Sequence, residues 1–118
     1  MKWCHVSLGL VFAALGSAPA LAEMSKGVAR SAGSFFAAAM SCEQRERIQG
    51  GQTEALRSSL DRYLTPDNKR WIKQGFDKGA RRESVFIPET GWTPFVPDEA
   101  GCYRVQGVLD DYKMQLNQ

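Results

Sequence analysis

The sequence predicts an all-α fold: one small domain of four helices, with an extended proline-rich loop before the last helix and a single disulfide as a staple. Three observations carry that expectation. Apolar residues recur at i+3 and i+4 in four stretches, the repeat that gathers side chains on one helix face. Glycines and prolines punctuate the chain between those stretches. Two cysteines, Cys42 and Cys102, fall on the apolar stripes of the first and the last helix.

The first helix is expected over about Ser25 to Ile48. Val28, Ala32, Phe35, Ala39 and Cys42 share one face, with Phe36 and Met40 flanking it. The middle, "SFFAAAM", is small and aromatic, as a packed helix requires; the end, "EQRER", is charged and suits solvent. Gly50-Gly51 closes it. The second helix, about Thr53 to Leu64, has Leu56, Leu60, Tyr63 and Leu64 as its stripe. Thr65-Pro66-Asp67 then opens the third. Thr65 can cap a free backbone N–H, Pro66 needs no donor in the first turn, and Asp67 meets the positive end of the helix dipole.

That third helix runs from about Pro66 to Arg82 with Ile72, Phe76 and Ala80 inward. Gly75 and Gly79 in "GFDKG" lie beside them, where two missing side chains let another element come close. Ser84 to Pro97, "SVFIPETGWTPFVP", holds Pro88, Pro94, Pro97 and Gly91 and cannot be one helix. It is expected to be an extended excursion across the helices, with a short β-like pair around Glu89 to Gly91. The last helix is expected from about Asp98 to Leu116, with Cys102, Val105, Leu109, Tyr112 and Leu116 inward. Gly101 and Gly107 leave its first half open to a strand reading.

The chain opens "MKWCHVSLGLVFAALGSAPALAEMSK". Lys2 supplies a short positive region and Val6 to Leu15 an apolar one. Ala20-Leu21-Ala22 is a small-residue cleavage pattern before Glu23. This is the layout of a secretory signal peptide, and the apolar run is shorter than the about 20 residues that span a bilayer. Residues 1–22 are therefore expected to be removed, leaving 23–118 as a single domain, periplasmic or secreted, with no stable membrane insertion. Cys4 leaves with the signal. Cys42 and Cys102 remain as an even pair in an oxidising compartment, and both lie on core-facing stripes, so they are expected to form a disulfide.

The only histidine, His5, also lies in the expected signal. Histidine-dependent nucleophilic catalysis is thereby excluded from residues 23–118, and a zinc site has too few ligands of the usual kind. Asp110-Asp111 are neighbours about 100° apart on a helix and do not face each other. Glu43 and Glu46 alternate with Arg45 and Arg47 as a charged surface. No catalytic residue, metal or cofactor is expected; a small carboxylate-dependent hydrolase is the remaining enzyme alternative.

With 15 basic and 13 acidic residues, net charge names no partner. Two surfaces are candidates for binding. One is the basic face of the third helix, where Arg70, Lys78 and Arg81 fall within an arc of roughly 80°. The other is "GWTPFVP", which offers Trp92 and Phe95 as rigid contact groups, or spends both as a lid on the core. The function expected is non-catalytic binding of another envelope or secreted protein, of which an inhibitor or immunity protein is one form. Nucleic acid is not an expected partner in that compartment. A periplasmic chaperone or stress protein is the alternative, and in layout alone the chain resembles the acid-stress periplasmic chaperones. The likeness extends to no motif and implies no site residue.

Overall fold

A computed structural model describes residues 24–117. The expected signal segment, residues 1–22, and Glu23 lie outside the described residues. The chain runs α1 (Lys26–Gln44), α2 (Gln52–Asp61), α3 (Pro66–Arg82), β1 (Ser84–Ile87), β2 (Gly91–Pro94) and α4 (Glu99–Leu116). The all-α expectation holds in coarse outline and is incomplete: the loop before the last helix is an antiparallel hairpin.

The central element is α1. Ser25 Oγ accepts from the Val28 N–H at 3.2 Å and starts it. It stops at Gln44, short of the expected Ile48, because Glu46 takes a left-handed conformation with φ 58°. The Arg47 N–H then reaches back to the Cys42 carbonyl at 3.0 Å, the closing bond of a Schellman turn. Ala29, Ala32, Phe36, Ala38, Ala39 and Cys42 are all buried, with Ser31, Gly33 and Ser34 among them. Burial this far round a helix means that neighbours cover it on several sides. Phe36, expected to flank the stripe, is wholly buried, whereas Phe35 is half-buried. Both rings contact Tyr112 of α4, at centroid distances of 5.9 and 6.0 Å.

The closest approach is between α1 and α3. A Cβ on Gly33 would collide with the Ile72 carbonyl and lie 2.8 Å from the Phe76 nitrogen. One on Gly75 would collide with the Arg30 carbonyl, and one on Gly79 would lie 3.0 Å from Ser34. The expected role of "GFDKG" is thus observed, and Gly33 supplies the matching notch on the partner helix. Phe76, expected in the core, sits at its margin, half-buried under the Arg57 guanidinium at 4.6 Å.

Thr65 caps α3 through the Asn68 N–H at 3.1 Å, with Pro66 in the first turn as expected. The boundary also shortens α2, which ends at Asp61 and hands over through turns at Tyr63 and Leu64. Asp98 caps α4 through the Gly101 N–H at 2.8 Å, and α4 is helical throughout, so the strand reading of its first half is wrong. Cys42 and Cys102 are bonded, buried, and 60 residues apart in sequence, as expected. A reciprocal amide pair, Gln52 with Gln106 at 2.8 and 2.9 Å, ties α2 to α4, and the Lys113 ammonium joins it at 2.9 Å.

The prolines that forbid a helix in Ser84–Pro97 are placed where a hairpin tolerates them. Pro88 is second in the turn Ile87–Thr90, Glu89 takes φ 74° at its third position, and the Thr90 N–H closes it on the Ile87 carbonyl at 2.9 Å. The flanking run "SVFI" is β-branched and aromatic, and it pairs with "GWTP" in the register Ser84–Pro94, Val85–Thr93, Phe86–Trp92, Ile87–Gly91. The β-like pair expected around Glu89 to Gly91 is the turn of this longer ladder.

Candidate functional site

The ladder decides which groups of the hairpin face where. The Phe95 N–H donates to the Glu83 carbonyl at 2.9 Å, so that opposed pair is a hydrogen-bonded one. Antiparallel pairs alternate, which makes Val85–Thr93 bonded and leaves Phe86–Trp92 and Ser84–Pro94 turned outward. On the β1 side the outward Phe86 N–H is taken by Ser34 Oγ of α1 at 2.8 Å, and that hydroxyl in turn donates to the Ser31 carbonyl. Pro94 lies at an outward position of β2, where its missing donor costs the ladder nothing.

Phe86 and Trp92, directly opposite, share one face of the hairpin. Their rings are 5.3 Å apart and tilted by 60°. Three cations from the helices lie over them. The Arg30 guanidinium of α1 is 5.4 Å from the Phe86 centroid; on α3, the Lys78 ammonium is 5.5 Å and the Arg82 guanidinium 5.8 Å from Trp92. Such contacts are electrostatic attractions to the ring faces, worth about 0.5–1 kcal/mol each at exposed sites.

This cluster lies apart from the core. Phe95 packs against the buried apolar cluster, close to Gly101, while Val85, Phe86, Ile87 and Trp92 are half-buried and do not. The two aromatic residues expected to act together therefore do different things: Phe95 lids the core and Trp92 builds a surface. The expected basic face divides as well. Lys69, Arg70 and Lys73 in the first half of α3 each have a carboxylate, from Asp61, Asp67 and Asp77 at 3.3, 2.8 and 3.0 Å. Among the described residues, no carboxylate pairs with Arg30, Lys78, Arg81 or Arg82. Of the five candidates, Lys78 and Trp92 are in contact, Arg81 lies exposed on the next turn, and Arg70 and Phe95 are engaged elsewhere.

Arg30, Arg82 and Phe86 were not among the expected binding residues. Phe86 was legible as the cross-strand partner of Trp92 once the turn at Pro88 was recognised. Arg82 lies one helical turn beyond Lys78. Arg30 carries no sequence signal, since only the α1–α3 crossing brings it to the hairpin.

Of the four carboxylates named from sequence, Glu43 and Asp110 have structural partners, while Glu46 and Asp111 are exposed. Glu43 Oε1 accepts from the Gly51 N–H at 2.8 Å, and Oε2 from the Thr53 N–H at 2.8 Å and its hydroxyl at 2.5 Å. Glu43, read from sequence as charged surface, is the N-terminal cap of α2. Burial works to raise its pKa, but the three hydrogen bonds from Thr53 and Gly51 outweigh burial and hold it below the ordinary value. Asp110 accepts from Gln106 at 2.9 Å and lies 3.4 Å from the Lys113 ammonium. Among the described residues no group of three His, Cys, Asp or Glu side chains is placed to hold a metal ion. A groove of about 440 Å³ lies between α1, the end of α3 and Phe95, with Ala37, Met40, Phe76, Ala80 and Pro97 among its walls.

Comparison with protein-family models, with curated proteins and with solved structures finds no match. Among the described residues no helix is long and apolar enough to cross a membrane.

Proposed function

We propose that this chain is an exported, non-catalytic protein that acts by binding another envelope or secreted protein, and that the contact is made by the hairpin face of Trp92 and Phe86 with Arg30, Lys78 and Arg82. One observation carries the reading: a tryptophan and a phenylalanine stand outside the core of a domain this small, under three cations that no carboxylate of the described chain neutralises. Tryptophan and arginine are the residues most enriched at the energetic centres of protein interfaces. The cations give the face a sign, which steers an acidic partner toward it. An inhibitor or immunity protein directed at a secreted enzyme fits this description. Export is supported by the buried disulfide and by the opening of the sequence.

The test is quantitative capture from the native envelope at low and high salt, with a melting curve for each variant. Lys78→Glu with Arg82→Glu is expected to lose most of the partner recovered at low salt. Trp92→Ala is expected to lose it at both salt concentrations. Arg70→Glu, a cation already paired with Asp67, is expected to change little. Recovery unchanged in the first two variants, with folding intact, would remove this face as the contact.

A further inference from the structure

The same hairpin has a free edge. On the β1 side the outward edge is occupied by Ser34 of α1. On the β2 side the alternation of the ladder turns the Trp92 N–H and C=O and the Pro94 C=O away from β1, and no described residue bonds to them. One N–H followed by two carbonyls is an array that a short extended strand can pair with, and Pro94 limits how far such pairing runs.

We propose that the partner docks as an extended segment, antiparallel to β2, with an acidic residue opposite Trp92. This rests on the assignment of the Trp92 face as the binding surface. A residue paired with Trp92 exchanges two backbone hydrogen bonds with it, and its side chain projects on the Trp92 face. That is the face where the Lys78 ammonium and the Arg82 guanidinium lie over the indole. The residues before and after it project on the opposite face, beside Gly91 and Thr93 of β2, with Ile87 and Val85 one strand further in. The geometry thus selects an acidic residue between two β-branched ones, in a β conformation. Backbone bonds to the edge supply the mode, and the cations set which residue stands at the centre. The short edge, the proline and the cations also discourage pairing with an uncharged or basic strand, so the same features that permit this ligand guard against aggregation.

The probe is the peptide acetyl-Thr-Val-Glu-Val-Thr-amide, added to the isotope-labelled exported protein while the Trp92 amide is followed by NMR and hydrogen exchange. The expected result is a shifted Trp92 amide with slowed exchange. Lysine in place of the central glutamate should bind about tenfold more weakly, and Lys78→Glu with Arg82→Glu should reverse that preference. A version N-methylated at the central residue keeps every side chain and loses the donor to the Trp92 carbonyl; it should not bind. Equal binding of the N-methylated peptide, or no change in the Trp92 amide at millimolar peptide, would overturn strand pairing. The surface itself stands or falls separately, on whether envelope capture responds to Trp92→Ala and to the double reversal.

Discussion

Phe35 and Phe36 are adjacent and nearly identical in sequence context, yet one is half-buried and the other has no exposed surface. The difference comes from α1 having neighbours on several sides, so that a single apolar stripe is not the whole of its buried surface. Phe36→Ala is expected to cost about 3–5 kcal/mol, the range for deleting a core aromatic, and Phe35→Ala distinctly less; denaturant unfolding of the two variants checks the order. Leu109, expected in the core and found fully buried, should cost about 2–5 kcal/mol on truncation to alanine. Glu43 gives a pH prediction. Its folded pKa lies below its ordinary value of 4.5, so its contribution is complete above that value and is lost as pH falls through the lowered one. Glu43→Ala should cost about 1 kcal/mol near neutrality, as loss of a helix cap does. It should also flatten the acid limb of the melting temperature below about pH 5. An acid limb identical to wild type would show that the cap does not titrate in that range.

At the scale of elements, the limits of α3 were legible because Thr65-Pro66 is a local signal and needs nothing from the rest of the chain, although Ala80, expected on its inward face, is exposed. The start of α2 was not, because its capping carboxylate comes from Glu43, across the turn that separates the two helices. The hairpin was only partly legible for a related reason. Prolines and glycine exclude a helix without stating what replaces it; the pairing is decided by which positions turn inward, and only the register reveals that Pro94 faces out. Two glycines make the helix prediction concrete. Gly75→Ala puts a methyl against the Arg30 backbone at the α1–α3 crossing and should cost about 1–3 kcal/mol, as overpacking does. Gly107 is also within a helix, but nothing lies within 4 Å of the position its Cβ would take. Gly107→Ala should therefore stabilise, by up to about 1 kcal/mol, through helix propensity alone. Melting curves of the two variants moving in the same direction would put the crossing in doubt.

For the molecule as a whole, the disulfide is the largest single constraint that can be removed without changing the sequence. It closes a loop of 60 residues between the first and last helices, worth roughly 4 kcal/mol in the chain-entropy model. That is a substantial part of the about 5–15 kcal/mol that holds an ordinary domain folded. Reduction under mildly denaturing conditions should lower the melting temperature markedly, and alkylation of denatured, unreduced protein should label neither cysteine. The expected cleavage before Glu23 is checked by intact mass of protein recovered from the envelope, where a chain starting at Met1 would refute it.

The sequence by itself determined the helical class, the limits of α3, the Cys42–Cys102 pairing and the closeness of the glycine-bearing helix to its neighbour. Each follows from local chemistry or from a repeat within one element. The tertiary structure alone decided that Phe36 rather than Phe35 is the buried ring, that Glu43 caps a helix, and that Lys78 and Trp92 belong to one surface with Arg30, Arg82 and Phe86. These depend on side chains brought together by the α1–α3 crossing and by strand register. A one-dimensional pattern records the periodicity of each element and carries no information on the angle at which two of them meet.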